Sequence, residues 1–362
     1  MKSIVRSHAR AFLLRASISV CAAVLLACAL NVNAQPVNYG TQQPQQQPAP
    51  TGNQQSAPVK VSAGEEKLAN KLIAAADASS KLAVAEELLK KYPKTELRPQ
   101  LIAHLPGEIT KVQDASQRIA LAQKFMALFP EPTASDYGNA ILVNAYINSN
   151  RTEEAFRIAA PWLEKNANDA GILYTLTTAG QRQVQATQNG ALVPKSRQYG
   201  IRAIELIEAN QKPASMDEAM WNANKAAWLA QLYQTVGYLA LVSGDRVEGL
   251  ARIQKAITLD PSDPNNYAIV GQLKNDEYMQ LAERYKAAPA GAQQDELLKK
   301  AYAALDEIID LYAHAVALSE GKPQLQQMRD TLYKDLESYY RSRHNGSDAG
   351  LQDLINKYKL KP

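Results

Sequence analysis

The residues of this chain that could perform acid–base or metal chemistry are few and scattered. Asp310 and His314 are four residues apart, a spacing that places both side chains on one face of a helix. They are either two ligands of a metal ion or an ion pair on the helix surface. We favour the ion pair, because the other histidines, His8, His104 and His344, are too distant in sequence to suggest a ligand set.

Two pairs of adjacent glutamates, Glu65-Glu66 and Glu153-Glu154, are candidates for catalytic carboxylates. Each pair begins a predicted helix, where negative charge is stabilised by the helix dipole, so we interpret both pairs as helix-start charges. The sequence contains no HExxH, P-loop, GxSxG or GxGxxG motif. We therefore predict a noncatalytic protein without metal or cofactor; the alternative is an enzyme whose site forms between distant helices and leaves no local motif.

Charge and cysteine content narrow the class of protein further. The chain has 40 basic and 36 acidic residues, but Lys2, Arg6, Arg10 and Arg15 precede any acidic residue, so removing residues 1–34 leaves a neutral chain. A nucleic-acid-binding protein needs a concentrated basic surface, and we predict none. Both cysteines lie within the first 30 residues, so no disulfide or thiolate metal site is expected in the folded part.

The amino terminus has the pattern of an export signal. A basic segment precedes an apolar run at residues 16–30, which is too short for comfortable membrane spanning. Two interpretations stay open: cleavage after Ala34, or acylation of Cys28, since Leu25-Leu26-Ala27-Cys28 resembles a bacterial lipobox. Residues 35–60 are rich in Gln and Pro and are predicted to be a disordered linker.

From residue 61 onward, apolar residues recur at spacings of three and four, as along a helix predicted from about 294 to 319. Gly321 and Pro323 follow as its stop signal. No segment alternates with period two between hairpin turns, so the predicted fold class is all-α. Trp162, Trp221 and Trp228 either pack between helices or line a ligand box, and we favour packing.

Residues 230–263 resemble the tetratricopeptide repeat, a pair of antiparallel helices in 34 residues. With Ala230 as position 1, the characteristic positions 8, 15, 20, 27 and 32 hold Gly237, Gly244, Gly249, Ala256 and Pro261. The two glycines at 237 and 249 allow close approach of the helices, Gly244 allows the turn, and Pro261 ends the second helix. The resemblance implies a right-handed α-solenoid of antiparallel helix pairs.

Weaker copies occupy other parts of the chain. Residues 136–169 have Asn150 in place of the turn glycine, and a third copy begins at Pro264 with Gly271 at position 8. Residues 65–93, 97–130 and 169–212 are predicted as degenerate helix pairs. We predict a repeat domain over 61–322 and C-terminal helices over 323–362, with Ser347 capping the last one; these helices either close the stack or, with Tyr339-Tyr340-Arg341, form a docking element.

In tetratricopeptide proteins, the first helix of each repeat lines the concave surface. Carrying those positions onto the three matched repeats gives a polar, almost uncharged set. Its uncharged polar members are Tyr137, Asn144, Asn148, Gln231, Gln234, Tyr238, Asn265, Gln272 and Asn275. Asn144 matches an asparagine of the family's carboxylate-clamp proteins, but the basic partners are missing. These side chains either bind an extended peptide or sugar hydroxyls, or merely solvate a surface.

We therefore expect an exported scaffold or peptide-binding adaptor in the envelope of a Gram-negative-type bacterium, periplasmic or associated with the outer membrane. Its partner would be a protein or extended peptide, and its only membrane contact a lipid at Cys28. One alternative is a lipid-anchored component of outer-membrane or secretion assembly, and another is a carbohydrate- or small-ligand-binding protein.

Overall fold

The computed structural model describes residues 61–213 and 218–359. These residues form fourteen α-helices and two short 3-10 helices and contain no β-strand, so the predicted all-α class is confirmed. They divide into two compact units. The N-terminal unit comprises residues 61–183 and 194–225, and the C-terminal unit comprises residues 184–193 and 226–359.

Residues 61–208 contain eight helices, and the first six pack in sequence order, each against its neighbours. The three segments predicted as degenerate helix pairs each contain two helices, as does the copy at 136–169. The helices are α1 Ala63–Ala74, α2 Ala78–Lys91, α3 Arg98–Thr110, α4 Ala115–Leu128, α5 Pro132–Asn148, α6 Thr152–Lys165, α7 Ala170–Thr187 and α8 Val193–Glu208, with the 3-10 helix Gly190–Leu192 between the last two.

Side chains at the helix starts satisfy backbone N–H groups that have no partner inside the helix. Ser62 and Glu65 form a capping box at α1: Glu65 N donates to Ser62 Oγ at 3.3 Å, and Ser62 N donates to Glu65 Oε2 at 2.8 Å. The bonds that the Glu65 carboxylate accepts from the backbone N and the hydroxyl of Ser62 lower its pKa. Asp77 and Asp114 cap α2 and α4 in the same way. The interpretation of Glu65 as a helix-start residue is confirmed.

The remaining six helices include the three longest of the described residues, with 24 to 28 residues each. The predicted helix at 294–319 is observed as a 28-residue helix, and the copy beginning at Pro264 has a first helix of 24 residues. The six helices are α9 Glu218–Val242, α10 Arg246–Leu259, α11 Pro264–Ala287, α12 Ala292–Ser319, α13 Gln326–Arg343 and α14 Leu351–Lys357, and the 3-10 helix Pro323–Leu325 precedes α13.

The glycines of the best-matching repeat lie where α9 contacts α10. A Cβ atom at Gly237 would lie 2.9 Å from Ile253 Cδ1, and one at Gly249 would lie 2.5 Å from Leu241 Cδ2. Ala256 is fully buried, and Gly244 has a φ of +83°, which makes the turn between the helices. The predicted roles of these positions are confirmed.

The end of the chain differs from one expectation. Ser347 does not cap the last helix, because its hydroxyl accepts from Ala349 N inside the preceding turn at 3.1 Å. The residue that precedes α14 is Gly350, with a φ of +89° and no side-chain cap. Helix α14 therefore begins later than predicted and is only seven residues long.

Candidate functional site

Polar side chains of α9 and α11 meet at an open cavity of about 570 Å³ in the C-terminal unit. We call it the amide groove. Its walls are the middle of α9, the turn before α11, the first turn of α11, and the segment around the 3-10 helix Pro323–Leu325. The lining side chains that can form hydrogen bonds belong to Gln231, Gln234, Asp260, Ser262, Asp263, Asn265, Asn266, Lys322 and Gln324.

Gln234 fixes α9 to the start of α11. Its side chain is buried, and its Nε2 donates to the Asp263 carboxylate and, at 3.0 Å, to Asn266 Oδ1. This amide therefore satisfies its donors within the wall of the groove. Gln231, one turn earlier on α9, lies at the lining surface.

Asp263 is the N-cap of α11. Its Oδ1 accepts from the backbone N of Asn265 at 2.9 Å and from Asn265 Nδ2 at 2.8 Å. Burial raises the pKa of the Asp263 carboxyl, and the nearby charge of Asp260 adds to this effect, whereas the hydrogen bonds from Asn265 and Gln234 oppose it. The sequence places Asp263 before Pro264, which suits the first helical position.

One amide of the groove has an unused acceptor. Asn265 Oδ1 is shielded from solvent and accepts no hydrogen bond from the described residues. A buried polar atom without a partner is destabilising by about 1–3 kcal/mol. A hydrogen-bond donor that reached this oxygen would therefore remove that cost.

The groove is less neutral than the sequence suggested. Asp260 and Asp263 contribute carboxylates, and Lys322 contributes an ammonium from a segment more than fifty residues later in the chain. None of the three occupies a concave position of the repeat, so the positional argument missed them. Asp260 and Asp263 could have been suspected from their place between two helices, but nothing local marks Lys322.

The structure brings together three of the nine predicted groove residues, Gln231, Gln234 and Asn265. Gln272 and Asn275 lie farther along α11, outside the lining. Gln272 is buried, and Asn275 Oδ1 accepts from the Tyr339 hydroxyl at 2.7 Å. These two residues therefore make contacts within the protein.

Tyr238 is also buried, in a small apolar cluster with Val184, Val193 and Leu239. Its ring therefore packs against apolar side chains at a position where the resemblance placed a ligand contact. The burial follows from tertiary packing, which the position of Tyr238 in the repeat does not encode.

The other three predicted residues lie on α5 in the N-terminal unit. Tyr137 is 40% exposed and Asn148 is exposed. Asn144 Nδ2 donates to Ala140 O at 2.9 Å, while its Oδ1 is buried and lacks a partner among the described residues. The possible lipidation site Cys28, the leader 1–34 and the linker 35–60 lie outside the described residues.

The glutamates and tryptophans considered for catalysis or ligand binding lie at a helix start or pack within the protein. Glu153 and Glu154 occupy the first turn of α6. Trp162 Nε1 donates to Asp136 Oδ1 at 2.8 Å, and Trp221 is fully buried. Within residues 61–213 and 218–359, no group of three or more potential ligands is placed to hold a metal ion.

Among the helices described, none combines the length and apolar character needed to cross a membrane. His314 Nδ1 lies 3.8 Å from Asp310 Oδ2, so the two side chains are neighbours as their spacing predicted. The imidazole is half-buried, and burial lowers the pKa of His314, which favours its neutral form over the predicted surface ion pair. No known family model matches this chain, and no curated protein sequence matches it.

Proposed function

We propose that this chain is a noncatalytic helical-repeat protein of the tetratricopeptide type. In α9 and α10, Gly237 contacts Ile253 whereas Leu241 contacts Gly249, so the order of contacts is reversed between the helices. In α5 and α6, Asp136 near the start of one helix bonds Trp162 near the end of the other. Both patterns support antiparallel pairs, which a right-handed solenoid would stack in sequence order.

The proposed function is to bind an extended peptide in the amide groove and so act as an interaction scaffold. The observation that carries this proposal is the meeting of Gln231 and Gln234 from one repeat with Asn265 from the next at a single cavity. Primary amides carry both donors and acceptors, which suits the alternating N–H and C=O groups of a peptide backbone. Gln234 Nε2 is already bonded within the wall, whereas Asn265 Oδ1 is an acceptor that no described residue uses. The carboxylates of Asp260 and Asp263 disfavour strongly acidic ligands.

Selection from a random peptide library displayed on phage tests this proposal. We expect the purified protein to enrich peptides of neutral or basic character, measured afterwards by isothermal titration calorimetry. The double variant Gln231→Ala/Asn265→Ala should bind an enriched peptide at least tenfold more weakly. Gln234 is not a suitable position for this test, because its amide also holds α9 to α11.

Gln254→Ala is the matched control, since Gln254 is an exposed amide on α10 that does not line the groove. It should leave the affinity unchanged. Failure to enrich any peptide, or equal binding by the groove variant and the wild type, would refute the peptide assignment. If the protein instead binds glycans on an array, and the same double variant loses this binding, the carbohydrate alternative would be supported.

We also propose that the protein is exported. Support comes from the basic and apolar pattern of residues 1–34. Mass spectrometry of the mature protein distinguishes the two versions: Gln35 as the first residue supports a periplasmic protein, whereas an acylated Cys28 supports a lipid-anchored assembly component. An intact Met1 would refute both.

A further inference from the structure

Three stacked rings join the last helix to α12 in the C-terminal unit. The imidazole of His314 lies between the phenol rings of Tyr267 in α11 and Tyr358, the residue that follows α14. The ring centroids are 4.5 Å and 3.4 Å from the imidazole, and the interplanar angles are 4° and 25°. His314 is therefore the central ring of a contact that involves three helices.

Charged groups face this stack from α12 and α14. Asp310, one turn before His314, accepts a hydrogen bond from the Tyr358 hydroxyl. The ammonium of Lys357 donates to the same hydroxyl at 2.7 Å. The imidazole therefore has a carboxylate and an ammonium close by.

The neighbouring elements contribute less charge at this point. Tyr267 is neutral, and its hydroxyl donates to Pro261 O at 3.1 Å, beside Asp260 in the wall of the amide groove. On α13, Arg343 pairs with Asp306, two turns before His314. Beyond α14, Lys359 pairs with Glu320 at 2.7 Å.

Few other contacts attach α14 to the protein. Leu351 and Ile355 are buried in the large apolar cluster of the C-terminal unit, and Ala349 O, just before the helix, accepts from the Tyr340 hydroxyl at 2.9 Å. A helix of seven residues is not stable alone. Its folding therefore depends on these contacts and on the stack at Tyr358.

We propose that the stack is a pH-sensitive clasp, in which α14 is held on α12 while His314 is neutral and is released when His314 becomes protonated. Release would uncover the apolar surface of α12 that Leu351 and Ile355 cover. This proposal concerns the C-terminal helix alone and does not depend on peptide binding in the amide groove.

The direction of the pH effect follows from proton linkage. Burial lowers the pKa of His314 below its ordinary value of 6.5, and the charge of Lys357 lowers it further, while Asp310 acts in the opposite direction. A released, solvated imidazole has its ordinary pKa and takes up a proton first. The closed form is therefore fully favoured above about pH 6.5 and loses stability as the pH falls below that value.

Hydrogen exchange of the full-length protein measures the release. The readout is the protection factor of the backbone amides at residues 354–358, which corrects for the intrinsic pH dependence of exchange. We expect these factors to fall at least threefold between pH 7.5 and pH 5.5 in the wild type, while those of α10 change less. His314→Phe keeps a flat ring but cannot titrate, so its factors should stay constant.

A pH-independent wild type, or the same fall in His314→Phe, would overturn the clasp. If α14 is unprotected at every pH in the His314→Phe variant, the Asp310→Asn variant provides the deciding test. This variant keeps an acceptor for Tyr358 but removes the charge that favours the protonated imidazole. If the protection factors of Asp310→Asn fall more than those of the wild type between pH 7.5 and pH 5.5, the clasp is supported. An equal or smaller fall contradicts it.

Discussion

The helix pairs α5/α6 and α9/α10 have different residues at equivalent positions of the proposed repeat. Where α9/α10 has Gly237 and Gly249 at the helix contact, α5/α6 has Val143 and Ala155, and both of these are fully buried. Each pair nevertheless forms two helices joined by a short turn. The comparison shows that these positions require burial, while side-chain volume sets how closely the helices can approach.

The turns of the two pairs share a backbone conformation but differ in how the second helix is capped. Gly244 and Asn150 occupy the same repeat position, and both have positive φ, +83° and +57°. The next residue caps the second helix in only one pair: Asp245 accepts from Glu248 N at 3.1 Å, whereas Arg151 makes no side-chain cap bond. Arg151 instead lies over the Tyr146 ring and pairs with Glu154.

The largest effect is expected at the α9/α10 contact. Gly237→Val should lower the free energy of unfolding by about 1–3 kcal/mol, because the new side chain would overlap Ile253 and Arg252. Urea denaturation at pH 7 measures this change. Gln254→Val, on the exposed side of α10, controls for the helix propensity of valine and should cost less; equal losses would show that the glycine contact is not tight.

The turn of α9/α10 should be the next most sensitive feature. Gly244→Ala should destabilise the C-terminal unit by about 1–2 kcal/mol, because an L side chain is strained at positive φ. Urea denaturation again provides the measurement. Gly107→Ala is the control, since a Cβ there meets nothing within 4 Å, and it should stabilise α3 by about 0.5–1 kcal/mol.

Removal of the cap at α10 should have a smaller effect. Asp245→Ala should cost about 1 kcal/mol, because the N–H of Glu248 loses its acceptor. Asp245→Asn keeps an acceptor and should be close to the wild type in the urea midpoint. If both variants lose the same stability, the negative charge matters more than the hydrogen bond.

The smallest effect is expected at the turn of α5/α6. Asn150→Gly should change the free energy of unfolding by less than about 0.5 kcal/mol, because asparagine already tolerates positive φ. Thermal unfolding followed by circular dichroism provides the measurement. Asn150→Val should be clearly less stable, and a neutral result for valine would mean that this turn relaxes easily to another conformation.

Local patterns predicted most of the helices. The period of the apolar residues and the stop at Gly321 placed a helix at 294–319, and the observed one is Ala292–Ser319. The same kind of evidence failed at Ser347, because a serine can equally bond inside a turn. Helix boundaries are local events, and their signals lie within a few residues.

The site was predictable only in part. The positions taken from the resemblance include Gln231, Gln234 and Asn265, which line one cavity. The same positions predicted that Tyr238 lines the surface, whereas the structure buries it in an apolar cluster. They did not indicate Lys322, which lines the groove. The pairing of Asp310 with His314 was foreseen from their spacing, but the enclosing rings of Tyr267 and Tyr358 were not.

The sequence by itself determined the all-helical class, the paired helices and the tight turn at Gly244, since period, caps and φ preferences act between residues close in the chain. Only the tertiary structure decided which polar residues share the amide groove and that His314 lies between two tyrosines. Those contacts join residues more than forty positions apart, such as Tyr267, His314 and Tyr358. Their geometry depends on how whole helices pack, which no local pattern records.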